Sequence, residues 1–176
     1  MQQISDDYVF KSPDDLIAFA RQLINEGQAG IFATVDTEGF PRMRWMGTLA
    51  LEDFPRLYAI TSPHCLKVDQ LGSHVQVEWM FADKGQNIIL NLGGRAEIFQ
   101  EIHDMKRVWR MIDDKSEAYF LNAFVKKPGF CVIATTICRI ECSIPKQNRR
   151  FSLKLGPFDS MSEVQVTSLF SKSDTA

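Results

Sequence analysis

The sequence predicts a mainly β fold, a split β-barrel of six or so mostly antiparallel strands with peripheral helices. Short apolar runs rich in β-forming residues, such as residues 29–35 and 57–60, alternate with turn sequences. Helical periodicity interrupts these runs only at residues 12–27, 65–71 and 101–124. No regular succession of strand, helix and strand occurs, so the pattern does not favour a doubly wound parallel sheet.

Length and charge restrict the class of protein. A chain of 176 residues fits one domain. We assign residues 1–145 to the barrel, and the polar residues 146–176 to an extension of the same domain with a loose end. A formal net charge of -2 provides no bulk attraction to nucleic acid. No apolar run approaches the roughly 20 residues that span a bilayer, and the acidic start is unlike a secretory signal. We therefore expect a cytoplasmic protein with neither a nucleic-acid nor a membrane partner.

The first half of the chain indicates a helix followed by a meander of strands. Ser12 is a typical N-cap, Pro13 suits the first helical position, and residues 25–27 end the helix. Residues 36–39 form a turn in which glycine supplies a positive φ. Residues 41–51 are predicted as the return strand, and the run at 57–60 follows it.

The second half contains a short helix and three further strands. Residues 65–71 are helical, and residues 75–81 alternate so that Val77 and Trp79 face the core. The glycine pair Gly93-Gly94 interrupts a long strand at 87–99 and indicates a bulge, a bend or a close approach. The last strand, residues 130–144, would place on one side Val132, Ala134, Thr136, Cys138, Ile140 and Cys142.

The four cysteines are not arranged as a metal site. Cys65, Cys131, Cys138 and Cys142 form no Cys-x-x-Cys pair, and the histidines are scattered. Cys138 and Cys142 would share a buried strand face, since free cysteine often acts as a small hydrophobe. Cys65 is the candidate for a reactive thiol, because the start of a helix lowers a thiol pKa.

Two polar segments are the candidates for a binding site. On the return strand, Arg42, Arg44 and Met46 share one face, where the arginines either meet an anionic ligand or lie on a solvated edge. The second segment, residues 61–67, places hydroxyl groups and Lys67 at the start of a helix. This segment is either an anion-binding site or an ordinary capped helix with a surface lysine.

Taken in order, these segments resemble the pyridoxamine 5′-phosphate oxidase-like split-barrel family, most closely its general stress protein branch. The similarity extends over roughly residues 12–145. It is carried by Ala33-Thr34-Val35-Asp36, Gly39-Phe40-Pro41-Arg42, Arg44-Trp45-Met46-Gly47-Thr48-Leu49, Tyr58-Ala59-Ile60-Thr61-Ser62, Lys67-Val68-Asp69-Gln70-Leu71 and Gly94-Arg95-Ala96-Glu97.

The resemblance implies a homodimer that binds FMN in a cleft between its two subunits. It implies that Arg44, Trp45 and Met46 line the flavin ring, and that Gly94 approaches from the other subunit. Thr61 and Ser62 would lie near the ribityl chain or phosphate, and Lys67 would pair with the phosphate. Leu66 departs from the pattern, since family members often carry an arginine there. The residues that could replace that charge are Arg42, Lys146, Arg149, Arg150 and Lys154.

The sequence leaves two functions open. The first is a flavin-dependent oxidoreductase that acts on a small-molecule redox substrate, with chemistry supplied by the flavin. The alternative is a non-catalytic protein of the stress response that binds a flavin or a related cofactor, such as a deazaflavin or haem. Large apolar residues, including 13 phenylalanines, are numerous for one small domain and also favour a dimer.

Overall fold

The computed structural model of the chain describes residues 10–50, 53–99, 130–156 and 164–169. The α-helices in these ranges are α1 (Pro13–Gly27) and α2 (Leu66–Ser73). The strands are β1 (Ala29–Val35), β2 (Pro41–Gly47), β3 (Leu49–Ala50), β4 (Arg56–Thr61), β5 (Gln76–Ala82), β6 (Ile89–Phe99), β7 (Cys131–Ile144), β8 (Arg149–Lys154) and β9 (Gln165–Ser168). The helices predicted within 101–124 lie outside the described residues.

The strands form one antiparallel sheet that curves without closing, which confirms the predicted split barrel. Its hydrogen-bonded order is β2-β1-β5-β6-β7-β4-β3, and β8 pairs with both β7 and β9. Within the described ranges no ladder joins β2 to β3. Helix α1 packs against the sheet through Leu16, Ala20, Leu23 and Ile24.

Local sequence accounts for the ends of α1 and for the first hairpin. The Ser12 hydroxyl accepts a hydrogen bond from the Asp15 backbone N–H, and the Asp15 carboxylate accepts one from the Ser12 backbone N–H. This reciprocal pair satisfies two of the N–H groups that a helix start leaves unpaired. At the hairpin, Gly39 has a φ of 86°, as the turn at residues 36–39 predicted.

The main hydrophobic core lies on the face of the sheet against which α1 packs. Trp79, Phe32, Leu90 and Leu92 are fully buried there, so the prediction that Trp79 packs in the core is confirmed. The Trp79 indole N–H donates to the Thr135 hydroxyl at 3.2 Å, which satisfies its polar group.

A β-bulge changes the faces of β7 and corrects the prediction for Cys138. Gly93 pairs with Arg139 and Gly94 pairs with Ile137, so Cys138 is an extra residue that has no partner position on β6. The bulge reverses the alternation of side chains along β7. Cys142 is therefore buried, as predicted, but Cys138 is exposed and donates to the Gly93 carbonyl at 3.4 Å.

The return strand also differs from the prediction, and the C-terminal segment adds strands to the sheet. The predicted strand at 41–51 is divided into β2 and β3 at Thr48, whose hydroxyl donates to the Tyr58 carbonyl at 2.9 Å. Residues after Pro145 add β8 and β9 to the sheet, where a polar extension was expected. Phe151 and Leu153 are buried on β8, so apolar residues at alternate positions anchor this segment.

Candidate functional site

A groove of about 770 Å³ lies between β2 and the start of α2. The hairpin side of the groove contributes Asp36, Thr37, Pro41, Arg42, Met43 and Arg44. The helix side contributes Leu66, Asp69 and Gln70. A cavity of this volume is in the range of small-molecule and cofactor sites. The predicted strand segment therefore lines one wall of the groove, whereas the predicted segment at 61–67 contributes only Leu66 to the other wall.

Arg44 joins β2 to α2 through a compact polar network. Its guanidinium donates to the Thr34 hydroxyl at 2.6 Å and to the Gln70 side-chain carbonyl at 3.0 Å. The Thr34 hydroxyl donates to the same Gln70 oxygen at 2.6 Å. Both acceptors of Arg44 are neutral, and no carboxylate among the described residues forms an ion pair with it.

The charge of Arg44 is partly desolvated without an acidic partner. Burial lowers the pKa of its guanidinium, and the nearby Cys65 sulfur acts in the opposite direction. The ring of Phe32 lies 5.8 Å from the guanidinium carbon. A partly buried cation that only neutral groups contact is well placed to bind an anion, since such a contact offsets its desolvation.

Arg42 differs from Arg44, because its charge is already paired. Its Nε donates to the Asp36 carboxylate at 2.7 Å. Asp36 also accepts hydrogen bonds from the backbone N–H groups of Phe40, at 2.8 Å, and Glu38, at 3.0 Å. Arg42 therefore stabilises the hairpin, and it is a weaker candidate than Arg44 for replacing the charge that Leu66 lacks.

Lys67, Thr61 and Cys65 form a second cluster at the start of α2. The Lys67 ammonium donates to the Thr61 hydroxyl at 3.0 Å and to the Cys65 sulfur at 3.3 Å. The Cys65 thiol contacts the Ser62 carbonyl at 2.9 Å. Cys65 is the N-cap of α2 but forms no side-chain cap, so this helix start keeps its capacity to bind an anion.

Trp45 and Met46, which were both predicted to line a flavin ring, lie on opposite faces of β2. Met46 is buried in the core, whereas Trp45 is 73% exposed on the other face of β2, beside Met43 at 71%. One ligand within a single subunit cannot contact both side chains from the same side of the strand. Their predicted roles beside a flavin ring remain predictions.

The close packing of β7 against β6 leaves no room for a side chain at Gly94. A Cβ at this position would lie 2.5 Å from the Thr136 carbonyl oxygen and 2.9 Å from the Thr135 methyl group. The close approach of β7 at the bulge explains the glycine without any ligand. Its predicted contact with a flavin remains a prediction.

Sequence reasoning assigned no role to Thr34 or Gln70, which are the partners of Arg44. Gln70 lies three residues after Lys67, so helical spacing places the two side chains on neighbouring positions of the same side of α2. Thr34 is a polar residue within an apolar strand, and its register opposite Arg42 places it near Arg44. The contacts of Thr34 and Gln70 with Arg44 can be inferred only once the positions of α2 and the β1–β2 hairpin relative to each other are known.

The fold defines a class of protein, the split-barrel proteins, and the groove contains an arginine, Arg44, that has no carboxylate partner among the described residues. The sequence model described as pyridoxamine 5′-phosphate oxidase matches residues 16–141. The chain therefore belongs to the pyridoxamine 5′-phosphate oxidase family. A comparison with curated proteins finds no significant match.

Solved structures with the same fold come from several bacteria. A pyridoxamine 5′-phosphate oxidase-related, FMN-binding protein from Nostoc punctiforme is 17% identical with a TM-score of 0.68, over 86% of this chain and 94% of that one. A protein from Clostridium acetobutylicum related to general stress protein 26 is 15% identical with a TM-score of 0.66, over 81% and 96%.

A third structure, general stress protein 26 from Bacillus anthracis, is 19% identical with a TM-score of 0.59, over 80% of this chain and 97% of that one. At these identities the similarity establishes the fold. Neither α1 nor α2 has the length and apolar character that crossing a membrane requires.

Proposed function

We propose that this protein binds FMN in the groove between β2 and α2 and acts as a flavin-dependent oxidoreductase on a small-molecule substrate. The observation that supports this most directly is a pair of cations, Arg44 and Lys67. Neither forms an ion pair with a carboxylate in the described ranges, and both lie beside the start of α2. An FMN phosphate is a dianion that such a site would bind.

The residues present fit the phosphate and ribityl parts of FMN. Lys67 and Thr61 already share a hydrogen bond at 3.0 Å, so an ammonium and a hydroxyl converge on one point. Arg44 contributes a second positive charge, which lessens the effect of Leu66 at the position where relatives often carry arginine. Met43 and Leu66 are exposed apolar residues on the two walls, suited to a flat aromatic ring.

When bound, the isoalloxazine ring would supply hydride or electron transfer. In this proposal the chain itself binds the phosphate through Lys67 and Thr61 and orients the cofactor through the Arg44 network. The structure of a Nostoc relative described as FMN-binding supports this choice of cofactor by analogy.

We propose further that the protein is a homodimer with the cofactor at the interface. Trp45 and Met43 are more than two-thirds exposed on the outer face of β2, and Phe40 is 60% exposed at the adjoining turn. Large apolar side chains exposed together are typical of an interface. A partner subunit on this face would cover them and would close the side of the groove that β2 forms.

The binding proposal is tested by titrating the purified protein with FMN and following flavin fluorescence, with Lys67→Ala beside it. We expect saturable binding that weakens roughly 10- to 100-fold in the variant, because a charge-assisted hydrogen bond contributes about 1.5–3 kcal/mol. The matched control is Lys84→Ala, since Lys84 is exposed in the turn between β5 and β6 and is not among the residues that line the groove.

Each outcome of this titration has a definite meaning. Equal affinity of Lys67→Ala and wild type for FMN would reject the proposed phosphate-binding role of Lys67. Failure of the wild type to bind would reject FMN as the cofactor. Reduction of bound FMN by a nicotinamide donor, followed in the visible spectrum, supports the oxidoreductase. Binding without reduction by any donor would favour the non-catalytic alternative.

A further inference from the structure

A nucleophilic thiol lies within the cation cluster at the start of α2. The Cys65 sulfur accepts a hydrogen bond from the Lys67 ammonium at 3.3 Å and lies 3.5 Å from the Thr61 hydroxyl. Arg44 on β2 interacts electrostatically with the same sulfur. Two cations from different elements therefore act on one sulfur atom, which is half-buried beside the groove.

The groups around Cys65 favour its ionised form. Partial burial opposes ionisation, but the hydrogen bonds from Thr61 and Lys67 and the charge of Lys67 outweigh it. The pKa of the Cys65 thiol is therefore below its ordinary value. The thiolate is the nucleophilic form of cysteine, so these contacts make the Cys65 thiol more reactive than an ordinary cysteine at the same pH.

Among the described residues, a second thiol, Cys131 on β7, lies close enough to Cys65 to interact with it electrostatically. Thr61 and Cys131 are directly opposite in the β4–β7 ladder, which places both side chains on the same face of the sheet. Burial, followed by the proximity of Cys65, raises the pKa of Cys131 to about 11. Of these two neighbouring thiols, only Cys65 has a lowered pKa.

We propose that Cys65 is an activated thiol that reacts with peroxides and other small electrophiles, and that an anionic ligand in the groove competes with its thiolate for Lys67 and Arg44. With hydrogen peroxide, the sulfur attacks one oxygen, an S–O bond forms and the O–O bond breaks. The sulfur is oxidised to a sulfenic acid, and the peroxide is reduced, its second oxygen leaving as hydroxide. The proposed competition depends on the proposed FMN site, whereas the proposed reactivity of Cys65 does not.

Cys138 provides an internal standard for this proposal. It is exposed at the β-bulge, whereas Cys65 is only partly exposed. If exposure alone determined the rate of modification, Cys138 would react first. If ionisation determines it, Cys65 reacts first. Cys131 and Cys142 are buried, and burial raises the pKa of Cys142 to about 12, so both should react last.

The test is labelling of the intact protein with iodoacetamide from pH 5.5 to 9.5, resolved by site with mass spectrometry. We expect Cys65 to be labelled faster than Cys138 at pH 7. In Lys67→Met its rate at pH 7 should fall roughly tenfold for each unit by which its pKa rises. Lys67→Arg should retain the fast labelling, which excludes misfolding as the cause, and Lys84→Met should have no effect.

Faster labelling of Cys138 than of Cys65, or an unchanged Cys65 rate in Lys67→Met, would overturn the proposal. The competition is tested by adding FMN, or inorganic phosphate, at pH 7. We expect Cys65 labelling to slow while Cys138 labelling does not. If flavin fluorescence shows binding and the Cys65 rate is unchanged, competition is rejected. If FMN does not bind, the proposed function fails. The pH dependence of Cys65 labelling without ligand still tests whether Cys65 is reactive.

Discussion

At the scale of single residues, the two arginines of β2 have different roles although they lie two positions apart. Arg42 is paired with Asp36 at 2.7 Å and stabilises the turn between β1 and β2. Arg44 contacts two neutral oxygens and has no carboxylate partner among the described residues. The sequence placed both arginines on one strand face, but only the surrounding side chains show which of them has an acidic partner.

Asp36 provides a prediction about the pH dependence of stability. Its pKa is lowered from 3.8, first by the hydrogen bond from the Phe40 backbone and then by Arg42. The unfolded chain therefore binds a proton more readily than the folded protein does. Asp36 thus stabilises the fold above about pH 4, and this contribution is lost as the pH falls through the folded-state pKa.

We expect Asp36→Asn to lower the thermal midpoint at pH 7, and the difference from wild type to shrink as the pH approaches 3. Thermal unfolding followed by circular dichroism from pH 3 to 7 measures this. Glu38→Gln is the control, since Glu38 is exposed in the same turn. A difference that stays constant down to pH 3 would show that the charge of Asp36 is unimportant.

At the scale of elements, the β6–β7 ladder depends on its bulge. Gly93 and Gly94 lie on either side of the register shift, and β7 carries the extra residue Cys138. The glycine pair indicated an irregularity in β6, but it did not reveal which strand holds the extra residue. That is decided by the pairing of the two strands, which reverses the faces of β7 beyond Ile137.

Gly94→Ala should destabilise the protein by roughly 1–3 kcal/mol, as overpacking of a buried site does. The added Cβ would lie 2.5 Å from a backbone oxygen of Thr136, which cannot move aside as a side chain can. Urea unfolding measures the free energy. The matched control is Gly72→Ala in α2, where no atom lies within 4 Å of the new Cβ apart from the adjacent residues and the backbone of the helix itself.

We expect Gly72→Ala to be neutral or stabilising by about 0.5–1 kcal/mol, because alanine favours a helix over glycine. Equal stability of Gly94→Ala and wild type would mean that β7 shifts at little cost. The close approach would then not explain the glycine.

At the scale of the whole molecule, the proposed dimer depends on the outer face of β2. Trp45→Glu should convert the dimer to a monomer, since a central aromatic residue contributes about 2–4 kcal/mol to an interface. Sedimentation velocity measures the change. The fold should persist, because Trp45 is 73% exposed in the single chain.

The control for this prediction is Val166→Glu on β9, which also replaces an exposed apolar side chain with a charge. It should leave the dimer intact. A wild-type protein that sediments as a monomer and still holds FMN would reject both the dimer and the placement of the cofactor at its interface.

The sequence by itself determined the fold class, α1 with its Ser12 cap, the β1–β2 turn and the β2 segment that lines one wall of the groove. These follow from local preferences and from periodicity, which act between residues close together in the chain. Only the tertiary structure decided that Cys138 is exposed, that β8 and β9 extend the sheet and that Gln70 and Thr34 bind Arg44. These features depend on strand register and on contacts between residues far apart in the chain, and a local pattern does not encode such contacts.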